Sequence, residues 1–173
     1  MTRLSLLTVA LVTFASAGTA AADSYVSLGF GDASASDLGA EGLEGDSIRL
    51  GFGQRFGKLA LEASLAGTDF DSNGESIYGT TTAAVDLKYH LTLGGPFELY
   101  GKGGLNKTWD SEDQSGRGLA LGLGLQWNLR LPVTSAAIWL DYTHVSTELR
   151  NESGAVTREG SLGLAMLGAS IGF

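Results

Sequence analysis

Gly118-Leu119-Ala120-Leu121-Gly122-Leu123-Gly124-Leu125-Gln126-Trp127-Asn128-Leu129-Arg130-Leu131 is the stretch whose reading decides the fold. Leucine or tryptophan stands at every second position from 119 to 131, with glycine, alanine or a polar residue between. Successive side chains of a β-strand point to opposite faces, so one face becomes a continuous apolar ridge and the other stays small and polar. A helix would smear that ridge around its circumference. The run is about twice as long as a usual globular strand and suits a tilted membrane crossing.

Seven other segments repeat the pattern less regularly. Residues 24–32 set Val26, Leu28 and Phe30 against Ser27, Gly29 and Gly31, and residues 47–56 set Ile48, Leu50 and Phe52 against Arg49, Gly51 and Gly53. In residues 58–68, Leu59, Leu61, Ala63 and Leu65 oppose Ala60, Glu62, Ser64 and Ala66. In residues 79–91, Ala83, Val85, Leu87 and Tyr89 oppose Thr82, Ala84, Asp86 and Lys88. Residues 97–108 place Phe97, Leu99 and Leu105 against Glu98, Tyr100, Lys102 and Asn106, and residues 136–145 place Ile138, Leu140 and Tyr142 against Trp139, Asp141 and Thr143. Residues 161–173 are ambiguous, because Leu162, Leu164 and Met166 compete with Leu167, Ala169, Ile171 and Phe173 for the apolar face.

The links between strands alternate in length. Tight ones fall around Gly57, at Gly94-Gly95-Pro96 and at Pro132 to Ser135. Longer polar loops cover residues 33–46, 69–78, 109–116 and 146–160. Short turns on one rim and long loops on the other are the habit of transmembrane barrels, with the short turns periplasmic. The expected fold is therefore all-β, an eight-stranded antiparallel up-and-down transmembrane β-barrel. A soluble lipocalin-like barrel is its rival, since alternation does not say which face is inside.

Composition bounds the rest. Arg3, an apolar stretch from Leu4 to about Ala15 and Ala20-Ala21-Ala22 read as a secretory signal peptide over residues 1–22, leaving a barrel domain over residues 23–173. Loss of Arg3 moves the formal charge from -8 to about -9, which disfavours nucleic acid as a partner. With no cysteine there is no disulfide, zinc-thiolate site or thiol nucleophile. Glycine is abundant, 26 residues against 2 prolines, and lies inside apolar runs, where a helix would suffer and a narrow closed sheet gains close backbone approach.

Charge sorts by position. The loops carry Asp37, Glu41, Glu44 and Asp46; Asp69, Asp71 and Glu75; Asp110, Glu112 and Asp113; and Glu148, Glu152 and Glu159. Arg49, Glu62, Asp86, Lys88, Glu98, Lys102, Arg130 and Asp141 fall on the face opposite the apolar one and are expected to form a charge network in the lumen. Eight strands enclose a space just wide enough for side chains, so a plug is expected, with a narrow ion path as the alternative.

Gly51-Phe52-Gly53, Phe97-Glu98-Leu99-Tyr100-Gly101 and the final Phe173 resemble the OmpA-like outer-membrane β-barrel domains. The resemblance covers residues 24–173 and implies a fold and a compartment, the bacterial outer membrane, rather than an activity. It implies that Phe173 is the terminal aromatic of an assembly signal read by the barrel-assembly machinery, which selects Leu167, Ala169 and Ile171 as lipid-facing. Outer-membrane lipid and lipopolysaccharide are the surroundings it implies, and a monomer the expected state.

His144 and Ser146 are the one pair that hints at catalysis, because residues two apart on a strand share a face and an imidazole can serve a hydroxyl as base. Lipid A deacylases, eight-stranded barrels with a His-x-Ser pair and a later Glu, are similar; Glu159 or Glu148 would orient the ring. Thr147 stands where that family commonly has Asn, and the Glu spacing departs from it. The leading expectation is a non-enzymatic barrel with a structural or surface-interaction role whose acidic loops meet a surface or host ligand. A low-conductance pore and a lipid A hydrolase are the alternatives. His90 is the other histidine, Asn106-Lys107-Thr108 and Asn151-Glu152-Ser153 fit the glycosylation tripeptide without weight in a bacterial envelope, and neither a cofactor nor a metal site is expected.

Overall fold

The computed structural model describes residues 23–36, 43–72, 75–110, 114–131, 134–150 and 156–173. The expected signal peptide, residues 1–22, lies outside them. Eight strands follow one another: β1 (Asp23–Ser36), β2 (Leu43–Phe56), β3 (Leu59–Ser72), β4 (Glu75–Gly94), β5 (Phe97–Asp110), β6 (Ser115–Arg130), β7 (Ser135–Arg150) and β8 (Val156–Gly172). Each pairs antiparallel with the next, and β8 returns to β1, so the sheet is a closed barrel. Closure leaves no edge, the condition under which strands can cross hydrocarbon.

The apolar face points outward. Leu119, Leu121, Leu123 and Leu125 are all exposed, Leu123 by 66%, together with Val26, Leu28, Phe30, Leu50, Leu87 and Leu140. This is the reverse of a lipocalin-like barrel. In β8, Leu167, Ala169 and Ile171 face outward and Phe173 just beyond the strand is exposed, whereas Leu162, Leu164 and Met166 are buried in the lumen. The Phe173 amide donates to Ser24 O at 2.9 Å, which fastens the end of β8 to the start of β1.

The tight turns follow from local chemistry. The β2–β3 turn needs a left-handed backbone, and Gly57 supplies it with φ of 64°. Outside, Phe97 stacks on Trp127 at 6.1 Å near the short-turn rim, where aromatic rings favour the boundary between lipid and water.

On the other rim the strands run further than the sequence pattern suggests. Residues 33–36, 43–46 and 69–72 belong to β1, β2 and β3, so much of what reads as loop is wall. Pairing persists there because Ala33, Ala35, Phe70, Val145, Leu162 and Leu164 pack against one another inside the barrel. Glu44, Asp46, Asp69, Asp71, Asp110, Glu148 and Glu159 are consequently strand residues rather than loop residues. Asp32, Asp46 and Asp69 stand side by side in one row, outward and exposed. Glu75 begins β4, and Asp37, Glu41, Glu112, Asp113 and Glu152 lie outside the described residues.

The interior glycines lie opposite large inward side chains. Trp139 pairs with Gly168, which pairs with Gly29, which pairs with Arg49. The indole lies across both glycines: a Cβ on Gly29 would sit 2.3 Å from it and one on Gly168 2.2 Å. Tyr100 against Gly124 and Tyr25 against Gly53 repeat the arrangement. Gly168→Leu is expected to displace Trp139 and destabilise the barrel by about 1–3 kcal/mol, the usual range for overpacking. A lower melting temperature of the compact form on a heat-modifiability gel would register it.

Candidate functional site

The lumen holds the charge network. Arg49, Glu62, Asp86, Lys88, Glu98, Lys102 and Asp141 are all buried within it; Arg130 lies in β6, but its side chain is outside the described residues. Their inward direction follows from strand parity, because each occupies the phase opposite the exposed leucines and aromatics.

Asp141 is the centre. Its carboxylate accepts from Arg49 Nη2 at 2.7 Å and Nη1 at 3.3 Å, from Lys102 Nζ at 2.9 Å and from the Tyr100 hydroxyl at 3.0 Å. Arg49 also stands over Trp139, its guanidinium carbon 4.5 Å from the ring centroid, so the glycine-made space for the indole positions the cation. Beside this clasp Lys88 Nζ donates to Glu62 Oε2 at 2.7 Å and stands 5.1 Å from the Tyr100 ring centroid. Asp86 faces Glu62 across the β3–β4 pair, and its buried Oδ1 accepts no hydrogen bond among the described residues. Three carboxylates, Glu62, Asp86 and Asp141, thus sit among three cations, Arg49, Lys88 and Lys102, and the charge enclosed by these residues balances.

A second group lies nearer the short-turn rim. Arg55 forks onto both oxygens of Glu98 at 2.8 and 2.9 Å, and His90 Nδ1 stands 3.3 Å from the same carboxylate without hydrogen-bond alignment. A cavity of about 680 Å³ runs inward from the short-turn rim, lined by Tyr25, Arg55, Lys88, His90, Gln126 and Trp139, among others. Arg55, His90, Tyr25, Tyr100 and Trp139 are further inward neighbours of the network, of which the sequence reading places Tyr100 and Trp139 on that face and does not single out Arg55 or Tyr25. Parity is the signal that finds them, since Arg55, His90, Tyr100 and Trp139 share the phase of Arg49, Lys88, Lys102 and Asp141 on their strands, and Tyr25 shares that of the buried Ser27 on β1.

Towards the opposite rim the lumen turns apolar on one side. Phe70, Leu162, Leu164, Met166 and Val145 form a buried cluster with Ala33 and Ala35, and Leu43 and Tyr78 pack against it. Facing it are hydroxyls: Ser47 with Thr68 at 3.0 Å and Thr82 with Thr108 at 3.0 Å.

His144 and Ser146 are on the outside of β7, exposed, paired with Gly163 and Ser161 of β8. Glu148 and Glu159 occupy the next outward row and are directly opposite each other. The three candidates, His144, Ser146 and Glu159, therefore share one face, but among the described residues no hydrogen bond joins them. Residues two apart on a strand are separated by about 7 Å along the backbone, beyond direct contact unless the side chains lean together. Among the described residues no cluster of His, Cys, Asp or Glu could hold a metal ion.

Closed eight-strand topology, an outward apolar face and a charged interior together define a small outer-membrane barrel. The chain belongs to the outer membrane protein beta-barrel domain family, whose model matches residues 7–166, and its place is the bacterial outer membrane. Among solved structures it is similar to the Neisserial surface protein A, with a TM-score of 0.68 and 15% identity over 89% of this chain and 100% of that one. It is also similar to Ail, the attachment invasion locus protein of Yersinia pestis, with a TM-score of 0.53 and 20% identity over the same shares; Ail has also been crystallised with the heparin analogue sucrose octasulfate. A major outer membrane protein of Thermus thermophilus aligns with a TM-score of 0.54 and 16% identity, again over 89% and 100%. No curated protein sequence matches the chain.

Removal of Asp141 leaves Arg49 and Lys102 buried without their carboxylate. Asp141→Ala should therefore cost about 3–5 kcal/mol, with Glu62→Ala and Lys102→Ala also lowering heat resistance. Glu98→Ala, at a partly solvated pair, should cost less. Urea unfolding of the four variants in detergent micelles measures the order.

Proposed function

We propose that this barrel is a structural or surface-interaction element of the outer membrane, working from its outer rim rather than through its lumen. Two features of the interior support the reading. Arg49 and Lys102 close on Asp141 across the middle of the lumen, and Phe70, Leu162, Leu164 and Met166 form a buried apolar cluster beyond it. An ion crossing would have to break charge-assisted hydrogen bonds and then pass beside apolar side chains that offer it no hydration.

What remains open to a partner is the rim. Its outward residues are mostly carboxylates, Asp32, Glu44, Asp46, Asp69 and Asp71 on β1 to β3. Such a surface suits a basic partner and repels a polyanion like the sucrose octasulfate crystallised with Ail. The barrel acts here as a rigid stand, and the acidic connections between strands are the parts displayed. His144 and Ser146 serve as interfacial polar residues, not as a base and nucleophile.

The cavity that reaches Glu62 and Lys88 from the short-turn rim favours a second reading, a low-conductance pore. Planar-bilayer recording separates the two. Refolded protein is expected to give no steady unitary current, and a steady current that shifts in Asp141→Asn would support the pore and overturn the plug. Lipid A from cells with and without the protein is expected to give identical mass spectra; loss of an acyl chain that disappears in Ser146→Ala would make the barrel an enzyme.

A further inference from the structure

The cavity of about 680 Å³ extends from the short-turn rim at Thr134 and Phe173 to Glu62, Lys88 and Trp139 inside the barrel. Trp139 carries Arg49 on its ring, and Arg49 is bonded to Asp141, so the inner end of the cavity abuts the clasp. Small-molecule sites are commonly concavities of about 300–1,000 Å³ with a few placed polar groups, and an eight-stranded barrel has room for one small ligand. Short turns are periplasmic, so the mouth faces the periplasm and its solutes.

The charges of this cavity are already answered. Arg55, whose side chain is 24% exposed, gives both terminal nitrogens to Glu98 and Nε to Gly57 O. Lys88 gives Nζ to Glu62. An anion would pass Asp23 at the mouth and reach cations whose charge is spent; a cation would arrive beside Arg55 and Lys88. An ion of either sign would leave water without gaining a counter-charge, which is costly, whereas a neutral molecule avoids that cost. Donors nonetheless remain for it. A guanidinium has five N–H bonds and an ammonium three, so Arg55 and Lys88 both keep N–H groups that a neutral oxygen can accept.

The neutral part of the wall fits the same class of ligand. Gln126 and Asn128 occupy successive inward positions of β6, both half-buried, and Gln126 Nε2 donates to Asn128 Oδ1 at 2.6 Å. That bond leaves Gln126 a carbonyl oxygen and one amide N–H. A hydroxyl group both donates and accepts, and an amide answers it in both senses. β1 and β7 supply Tyr25, Ala137 and Trp139, an apolar surface beside these polar groups. A sugar ring has both characters, hydroxyls around its edge and C–H bonds on its faces. We propose that the short-turn cavity binds a neutral mono- or disaccharide from the periplasm, with hydroxyls on Arg55, Lys88 and Gln126 and the ring against Tyr25 and Ala137. The site is independent of any partner at the acidic rim.

Saturation-transfer-difference NMR titrations test this on the full-length protein, folded in phosphocholine micelles that carry no sugar headgroup. The probes are glucose, N-acetylglucosamine, cellobiose and chitobiose. At least one should bind about tenfold more tightly than its charged counterpart, which is glucosamine or glucuronate for the single rings and the deacetylated or uronate form for the disaccharides. Failure of all four to bind overturns the site, and a charged form that binds as tightly overturns the neutral class. Ala137→Phe, which fills the cavity from β7, should abolish binding. Gln126→Leu, which removes the amide, should weaken it about tenfold, while Lys58→Gln, at a short turn outside the cavity, should leave it unchanged. Heat-modifiable mobility shows which variants are folded. A folded Ala137→Phe protein that still binds the sugar overturns the placement; if that variant does not fold, unaltered affinity in folded Gln126→Leu does so.

Discussion

Hydrocarbon offers no water to a backbone amide or carbonyl, so a sheet that crosses it must close on itself. In this chain the requirement is met by the β8–β1 seam, and closure at eight strands then fixes the diameter of the interior. Everything that faces inward must fit that diameter. A side chain as large as Trp139 is admitted because Gly168 and Gly29 next to it have no side chain, and Arg49 takes its place on the indole in turn. The glycine-rich composition is therefore the counterpart of a crowded lumen. Glycine leaves room on one strand for what its neighbour projects.

Crowding also dictates the electrostatics. A charge enclosed by a narrow wall has little solvent to stabilise it, so it must find a partner within the wall. Asp141 meets two cations and a phenol, Glu62 meets Lys88, and Arg55 closes on Glu98 with both nitrogens. Such pairs contribute less to stability than to shape, since each fixes the position of several large side chains at once.

The wall itself is legible in residues 118–131, because only a strand turns that alternation into one apolar face. The phase of β8 is harder, since Leu162, Leu164 and Met166 make an apolar stripe of their own. They are inward because the lumen beyond the clasp is apolar, a change of character along the barrel axis that no single strand records. The same change explains why the strands run past the expected loop boundaries: Ala33, Ala35 and Phe70 have an interior to pack into. The inward charges follow from parity, but the meeting of Arg49 with Asp141 depends on how far each strand is staggered around the barrel. That stagger belongs to the closed sheet and is not written in any one segment. The shared face of His144 and Ser146 is likewise plain from their spacing, while the distance between successive outward positions, which decides contact, is a matter of pleat geometry.

The seam has a further consequence for how the protein is made. It joins Tyr25 to Gly172, so the bond that completes the wall connects the two most distant strands of the chain. Loop-closure entropy is greatest for such a contact, and topologies that depend on it fold slowly. Until β8 has been synthesised and delivered, β1 presents an unpaired edge, the surface on which stray strands recruit one another. In a polypeptide with this architecture the contact that is costliest in chain entropy is also the one that seals the wall.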